Sequence, residues 1–142
     1  MKLFALISLL LTGSAHAGTI VVQPSQTLRN STGFLRCALW DKGDGFPGES
    51  DNAVQLAESA ISGQTATCTF TGVAKGRYAI SILHDENKNG KIDLNMIGIP
   101  TEGFGASNDT PPGPTSPPSF TDAAFDYSGS DLRVSLLMRY IL

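Results

Sequence analysis

Apolar residues alternate with polar ones in several separate stretches of the chain, and a period of two marks a half-buried β-strand. The stretch "GTIVVQ" is a β-branched opening run stopped by Pro24. In "GFLRCALWD" Leu35, Cys37 and Leu39 share one face, and the run ends in "DKGDGFPG", which is dense in turn formers. "QTATCTFTGV" sets Ala66, Cys68 and Phe70 on one parity. "VAKGRYAISILHD" turns at Gly76 and then alternates Tyr78, Ile80 and Ile82 inward. Near the C-terminus "DLRVSLLMRYIL" gathers Leu132, Val134, Leu136, Met138 and Tyr140 on one face, with Arg133, Ser135 and Arg139 on the other, and reads as a closing strand.

One stretch breaks the alternation. In "SDNAVQLAESAI" Ser50 is a helix-capping residue, and Ala53, Leu56, Ala57 and Ala60 recur at helical spacing, which predicts a short helix. From Gly98 to Ser119 prolines and glycines predominate without apolar periodicity, so the pattern predicts a long loop of the kind that often carries function. "FTDAAFDY" then returns Phe120, Phe125 and Tyr127 to the core. Short strands separated by turn signals predict an all-β fold, a single antiparallel β-sandwich of immunoglobulin-like or transthyretin-like kind with room for one short helix.

Residues 1–17 follow a different rule. Lys2 precedes an apolar run from Leu3 to Leu11 and the small-x-small triplet Ala15-His16-Ala17, the pattern of a cleavable signal peptide. The run is shorter than the roughly 20 residues that a spanning helix needs, and no later segment substitutes for it. The expected mature protein is one domain, residues 18–142, exported to the periplasm or secreted. No cysteine follows the apolar run as a lipid anchor requires.

Charge narrows the partners. A net charge of -3 and scattered Lys and Arg offer no basic surface for phosphates, so nucleic-acid binding is not expected. Cys37 and Cys68 are the only cysteines, and an even pair in an exported chain on core-facing parity is read as a disulfide, the other reading being two separate buried thiols.

The densest chemistry lies in "HDENKNGKIDLNMIGIPTEGFG". Counting from Asp85, oxygen-bearing side chains fall at positions one, three and five as Asp85, Asn87 and Asn89, Gly90 follows, and Asp93 takes position nine. Alternate side chains of a tight loop converge on one point, and the Lys91 carbonyl follows the glycine, which suits a calcium ion seeking about 6–8 oxygens. Met96 stands where an EF-hand has its bidentate Glu, and a strand precedes the loop where an EF-hand has a helix. The missing carboxylate must come from elsewhere, with Glu102, Asn95 and Asp122 the nearest donors. Two amides in place of aspartates predict weak affinity, about 10⁻⁴–10⁻³ M. The competing reading is a pair of consecutive turns made by Asx side chains and Gly90, with no metal.

His84 is the sole histidine left after signal cleavage, so multi-histidine zinc sites and histidine dyads are excluded by count. It shares the inward parity of Ile80 and Ile82 and reads as a hydrogen-bonded core residue. Trp40 and Phe46, flanking a turn, are read first as packing and second as an aromatic platform for a sugar or peptide.

Taken together, "GFLRCALWD", "CTFTGVAKGRYAISILHDENKNGKIDLNMIGIPTEGFGASN" and "PSFTDAAFDY" behind a signal peptide resemble the DUF2141 family of small exported bacterial proteins. The match runs through His84-Asp85-Glu86-Asn87-Lys88-Asn89-Gly90-Lys91-Ile92-Asp93, with Ile92 where the family has Leu, and through Gly98, Pro100, Glu102, Gly103, Phe104 and Gly105. The resemblance implies a small exported β-sandwich and supplies neither substrate nor catalytic residues.

The expected function is therefore that of a non-enzymatic module with a protein or carbohydrate ligand and no cofactor except calcium, bound by Asp85, Asn87, Asn89, Lys91, Asp93 and Glu102. The alternative is a hydrolase built around His84, Asp85 and Glu102. A third reading, an outer-membrane barrel suggested by "RVSLLMRYIL", fails for want of enough long alternating strands.

Overall fold

Strands whose apolar side chains share one parity can bury that face only against a second sheet. The computed structural model describes residues 17–142 and shows this arrangement. The predicted signal peptide lies outside the described residues except for Ala17, which opens the first strand. The strands are β1 (Ala17–Pro24), β2 (Phe34–Trp40), β3 (Gln55–Ala60), β4 (Cys68–Ala74), β5 (Gly76–Asp85), β6 (Gly103–Ala106), β7 (Phe125–Tyr127) and β8 (Leu132–Leu136), with one α-helical turn, α1 (Phe120–Ala123). The small sheet has the order β4-β1-β8 and the large one β3-β2-β5-β6, with β7 also pairing β5. Every ladder is antiparallel except β1 with β8, where the first and last strands run parallel.

The parity read from the sequence decides which side chains meet. Ile20, Val22, Leu35, Cys37, Leu39, Phe70, Ile80, Ile82 and Leu136 form one core between the sheets, each at most 3% exposed. Burying each such side chain contributes about 1.5–3 kcal/mol, so this core dominates the stability. Cys37 and Cys68 are joined as a disulfide with Cα atoms 6.4 Å apart, tying β2 of the large sheet to β4 of the small one.

Two expectations need correction. Residues 50–61 are not a helix: a 3₁₀ turn at Ser50–Asn52 leads into β3, which pairs with β2 from Phe34↔Ala60 to Leu39↔Gln55. An isolated helix of a dozen residues is marginal in water, whereas β2 offers this segment a full ladder of hydrogen bonds. The inward positions of β3 are the small or polar Gln55, Ala57 and Ser59, so its alternation is faint, and Leu56 on the outer face is 57% exposed. Gln55 also bonds the main-chain N–H and C=O of Thr71 with its side-chain amide, bridging the two sheets.

The second correction lies in the expected loop from Gly98 to Ser119, which contains β6. Its inward residues, Gly103 and Gly105, lie opposite His84 and Ile82 and carry no side chain, so no apolar period marks the strand. The bareness has a use. A Cβ on Gly105 would stand 2.3 Å from the Leu137 carbonyl oxygen, and one on Gly103 2.4 Å from the Tyr140 ring. The C-terminal segment takes that space: it leaves β8, and Arg139 exchanges two main-chain hydrogen bonds with Phe104 of β6, so the segment crosses from the small sheet to the large one.

Trp40, read first as packing, offers no exposed platform. It is wholly buried on the outer face of the large sheet, where Phe46 and Phe120 cover it together with Ala38, Ala79, Ala106 and Ala123, and its indole N–H donates to Ser81 Oγ at 2.9 Å. The packing reading of Trp40 holds.

Candidate functional site

The last residues of β5 divide the loop's chemistry between two faces. His84 points inward and Asp85 outward, as successive residues of a strand must. Both ring nitrogens of His84 are engaged, Nδ1 with the Tyr140 hydroxyl at 2.7 Å and Nε2 with the Thr32 carbonyl at 2.8 Å. A carbonyl only accepts, so Nε2 carries the proton and Nδ1 accepts from Tyr140. The ring is wholly buried, as its inward parity implied. With Asp85 on the opposite face, β5 does not bring the three residues of the hydrolase reading to one surface.

Asp85 is the loop's first anchor and is also wholly buried. Its Oδ2 accepts from Arg36 Nε at 2.5 Å and from the Gly90 N–H at 2.8 Å, and its Oδ1 from the Asn89 N–H at 3.2 Å. Burial alone pushes its carboxyl up, but the Arg36 guanidinium and the two main-chain N–H groups outweigh burial and hold it below the usual value. Arg36 is fixed in turn by Glu58 of β3.

Glu102 is the second anchor, 4% exposed. It accepts from the main-chain N–H of Glu86 at 2.7 Å and of Asp93 at 3.1 Å, so one carboxylate clamps the start and the end of the loop. Burial raises its pKa above the usual range, and the nearby charges of Asp93 and Asp85 add to burial against the two N–H groups. Of the three donors weighed from the sequence, Glu102 alone reaches the loop in this way. Asn95 caps a different turn, and the exposed Asp122 sits in α1 with its N–H on Ser119.

Between the anchors, Asn87, Asn89 and Asp93 converge. Asp93 Oδ1 accepts from Asn89 Nδ2 at 2.6 Å, and its Oδ2 accepts from Asn87 Nδ2. The Asx turns of the competing reading are present as well: Asn87 Oδ1 accepts from the Asn89 N–H at 3.3 Å and Asn89 Oδ1 from the Lys91 N–H at 3.2 Å, while Gly90 takes φ 81°. Among the described residues no three His, Cys, Asp or Glu side chains gather as a metal cluster. A cation here would rest on a mixture of carboxylate, amide and carbonyl oxygens, the hard donors that suit calcium.

Two features escaped the sequence reading. Arg29, between β1 and β2, bonds Glu86 at 2.6 Å, the Thr101 carbonyl at 2.8 Å and the Leu142 carbonyl at 2.6 Å, and lies over the Tyr140 ring. It ties the loop to the C-terminus, and nothing in its local sequence marks it. The second is a hairpin from Lys91 to Thr101, closed by the Leu94↔Pro100 bridge and by the Thr101 N–H on the Asp93 carbonyl. The alternation of Ile92, Leu94 and Met96 was its visible signal.

This hairpin forms one wall of a groove of about 970 Å³ on the outer face of the large sheet. Arg36, Ala38, Leu83 and Phe104 lie on its floor, Pro47 and the segment Pro112–Pro118 bound it elsewhere, and Ile92, Leu94, Ile97 and Ile99 face it from the hairpin. Its size falls in the range of ligand sites. Among the described residues no helix is long and apolar enough to cross a membrane.

No curated protein and no solved structure matches the chain. A family model does, over residues 25–135, which include both cysteines, the two anchors and the whole of the loop, and its description is "Uncharacterized protein conserved in bacteria". The chain belongs to the DUF2141 family.

Proposed function

We propose that this protein is an exported, non-enzymatic binding module in which calcium orders the loop from Asp85 to Asp93 and so fixes the wall of the outer groove. The convergence of Asn87 and Asn89 on Asp93 between the buried carboxylates of Asp85 and Glu102 carries the reading. An ionised carboxylate offers about four lone-pair sites. Glu102 spends two on main-chain N–H groups and Asp85 three on its donors, so each keeps capacity for a cation. Turning each asparagine amide by a half rotation gives up its Asx bond, to the Asn89 or the Lys91 N–H, and exchanges Nδ2 for Oδ1 with little change of shape. Both amide oxygens then face the point that Asp93 already faces, and the Lys91 carbonyl completes the set.

The loop and the groove are mechanically one piece, because Asp93 carries the hairpin on its main chain. Fixing Asp93 fixes Ile92, Leu94, Ile97 and Ile99, the residues that face the groove. A protein or carbohydrate ligand is the class proposed for it. The export signal and the oxidised cysteine pair support a periplasmic or secreted location.

Isothermal titration of the mature protein with calcium chloride tests the site. The expected result is one weak site near 10⁻⁴–10⁻³ M that Asp93→Ala removes. Heat that is absent in wild type, or unchanged in the variant, contradicts the reading. Asp93 is a cleaner probe than Asp85, whose carboxylate also holds Arg36.

A further inference from the structure

The loop carries the only Asn-Gly pair in the chain, Asn89-Gly90. The nitrogen of the residue after an asparagine can close a five-membered ring on that asparagine's side-chain carbonyl carbon, and a glycine there has no side chain to bar the approach. Every other asparagine is followed by a residue with a side chain, namely Ser31, Ala53, Lys88, Met96 or Asp109.

The folded loop leaves this reaction open. Asn89 and Gly90 are both exposed, so water reaches the pair. A Cβ added at Gly90 would meet nothing within 4 Å, so no neighbouring group shields its nitrogen from that side. Asn89 Oδ1 accepts from the Lys91 N–H at 3.2 Å, which curls the side chain over the Asn89–Gly90 peptide and brings its carbonyl carbon toward the Gly90 nitrogen. The same N–H faces the oxygen on which negative charge gathers as the ring closes. The Gly90 N–H points at Asp85 Oδ2, 2.8 Å away, an acceptor for the proton that must leave. Beyond these contacts, the Asn89 side chain is held by its Nδ2 bond to Asp93 Oδ1.

We propose that Asn89 is a modification site: in the absence of calcium it deamidates through a succinimide with Gly90, and calcium suppresses the reaction. The calcium clause rests on the proposed function, and the modification stands without it. The Gly90 nitrogen bonds to Asn89 Cγ and gives up its proton to water by way of Asp85 Oδ2. The Cγ–Nδ2 bond breaks, and Nδ2 leaves as ammonia after taking a proton from water. Water then opens the ring at one of its two carbonyls. Breaking the bond from the Gly90 nitrogen to Cγ yields aspartate, and breaking the bond to the Asn89 main-chain carbon yields isoaspartate. One water is consumed and one ammonia released for each amide. With calcium bound, Asn89 Oδ1 has left the Lys91 N–H for the ion and is tied into one shell with Asp85 and Asp93, so Cγ no longer swings onto the nitrogen. Either product removes the Nδ2 donor to Asp93 and adds a negative charge to the loop.

Incubation of the mature protein in chelator, in chelator with urea, and in calcium tests the proposal, with fragment mass spectra placing the change at a residue. In chelator the mass gain of deamidation is expected at Asn89 and at no other asparagine. Its rate should lie within about tenfold of that in urea, whereas a pair that reacts only while unfolded would lag by the folding constant, about 10³–10⁸. Calcium at about 100-fold over its dissociation constant leaves about one loop in 100 unoccupied and should slow the gain about 100-fold. Asn89→Gln, whose longer amide cannot close the five-membered ring, should remove it. An intact Asn89 in the folded protein in chelator overturns the proposal, even where calcium titration has succeeded. Equal rates with and without calcium, where titration has shown the site filled, overturn it as well. If titration shows no calcium site, the proposed function fails, and conversion in chelator still upholds the modification.

Discussion

Arg36 on β2 donates its Nε–H to Asp85 Oδ2 on β5 at 2.5 Å, a diagonal contact in which each residue reaches two residues past its direct partner in the ladder, Leu83 and Phe34 respectively. The bond joins the floor of the groove to the first anchor of the loop. Arg36→Ala leaves a buried carboxylate with main-chain donors alone. Losing the partner of a fully buried charge costs about 3–5 kcal/mol, and Arg36 is partly solvated, so a loss of about 2–3 kcal/mol is expected. The pH dependence has a definite sign. Asp85 is held below its ordinary value of 3.8 in the folded state, so its contribution is present above that value and is lost as pH falls through the lower folded value. Urea unfolding should therefore show the gap between wild type and Arg36→Ala at neutral pH and a narrower gap near pH 3. A gap that does not change with pH contradicts the assignment.

Gly105→Ala should cost about 1–3 kcal/mol, because its Cβ would fall 2.3 Å from the Leu137 carbonyl oxygen, and a backbone atom cannot swing aside as a side-chain end can. Gly98→Ala provides a contrast. Nothing lies near its Cβ, and only the positive φ of 83° opposes the change, so the cost should be smaller and confined to the hairpin. Equal losses measured by denaturant unfolding would argue against the packing of the C-terminal segment on β6.

Tyr127 makes the opposite kind of test. Its ring is buried in the main core and its hydroxyl finds no hydrogen-bond partner among the described residues. Burial pushes its pKa above the usual 10.0, with the charge of Asp131 and the neighbouring Tyr78 adding to the effect. A group raised in the folded state contributes stability that is present below pH 10 and lost as pH rises through its folded value. Tyr127→Phe keeps the ring, removes the unpartnered hydroxyl and should gain about 1 kcal/mol at pH 7. It should also blunt the decline above pH 10. A variant less stable than wild type at pH 7 would show that the hydroxyl has a partner.

Removing the disulfide should be costly and should leave the site's geometry intact. Cys37 and Cys68 are 31 residues apart, and the chain-entropy relation gives about 3–4 kcal/mol for a loop of that length. Cys37→Ala/Cys68→Ala should lower the unfolding free energy by that amount while calcium still produces its heat. Loss of the calcium response with the fold retained would mean that the loop depends on the cross-link, by way of Arg36, which adjoins Cys37 and holds Asp85.

The sandwich was legible because its inward parity is written in large apolar side chains: Leu35, Cys37 and Leu39 on one strand, Ile80 and Ile82 on the next, Leu136 on the last. Legibility failed where that code is blank. At β6 the inward positions are Gly103 and Gly105, and at β3 they are Gln55, Ala57 and Ser59, so neither strand has an apolar period, and β3 even mimics a helical one. The candidate site divides in the same way. The loop from Asp85 to Asp93 was readable because its residues are close in sequence, and Glu102 could be named as a donor. The Arg36 partner of Asp85 and the Arg29 clamp on Glu86, Thr101 and Leu142 depend on contacts made across 49 or more residues, which no local pattern records.

Differential scanning calorimetry of the mature protein in tens of millimolar calcium, about 100-fold over the expected dissociation constant, and in chelator tests the central claim most directly. A ligand that binds the folded loop alone adds about 2.7 kcal/mol at a concentration 100-fold over its dissociation constant, which corresponds to several degrees in melting temperature for a domain of this size. The account predicts that rise in wild type, its loss in Asp93→Ala, and no comparable rise with magnesium, whose smaller shell suits this amide-rich loop poorly. One melting temperature for wild type in calcium and in chelator would contradict it and leave the loop as a pair of Asx turns clamped by Asp85 and Glu102.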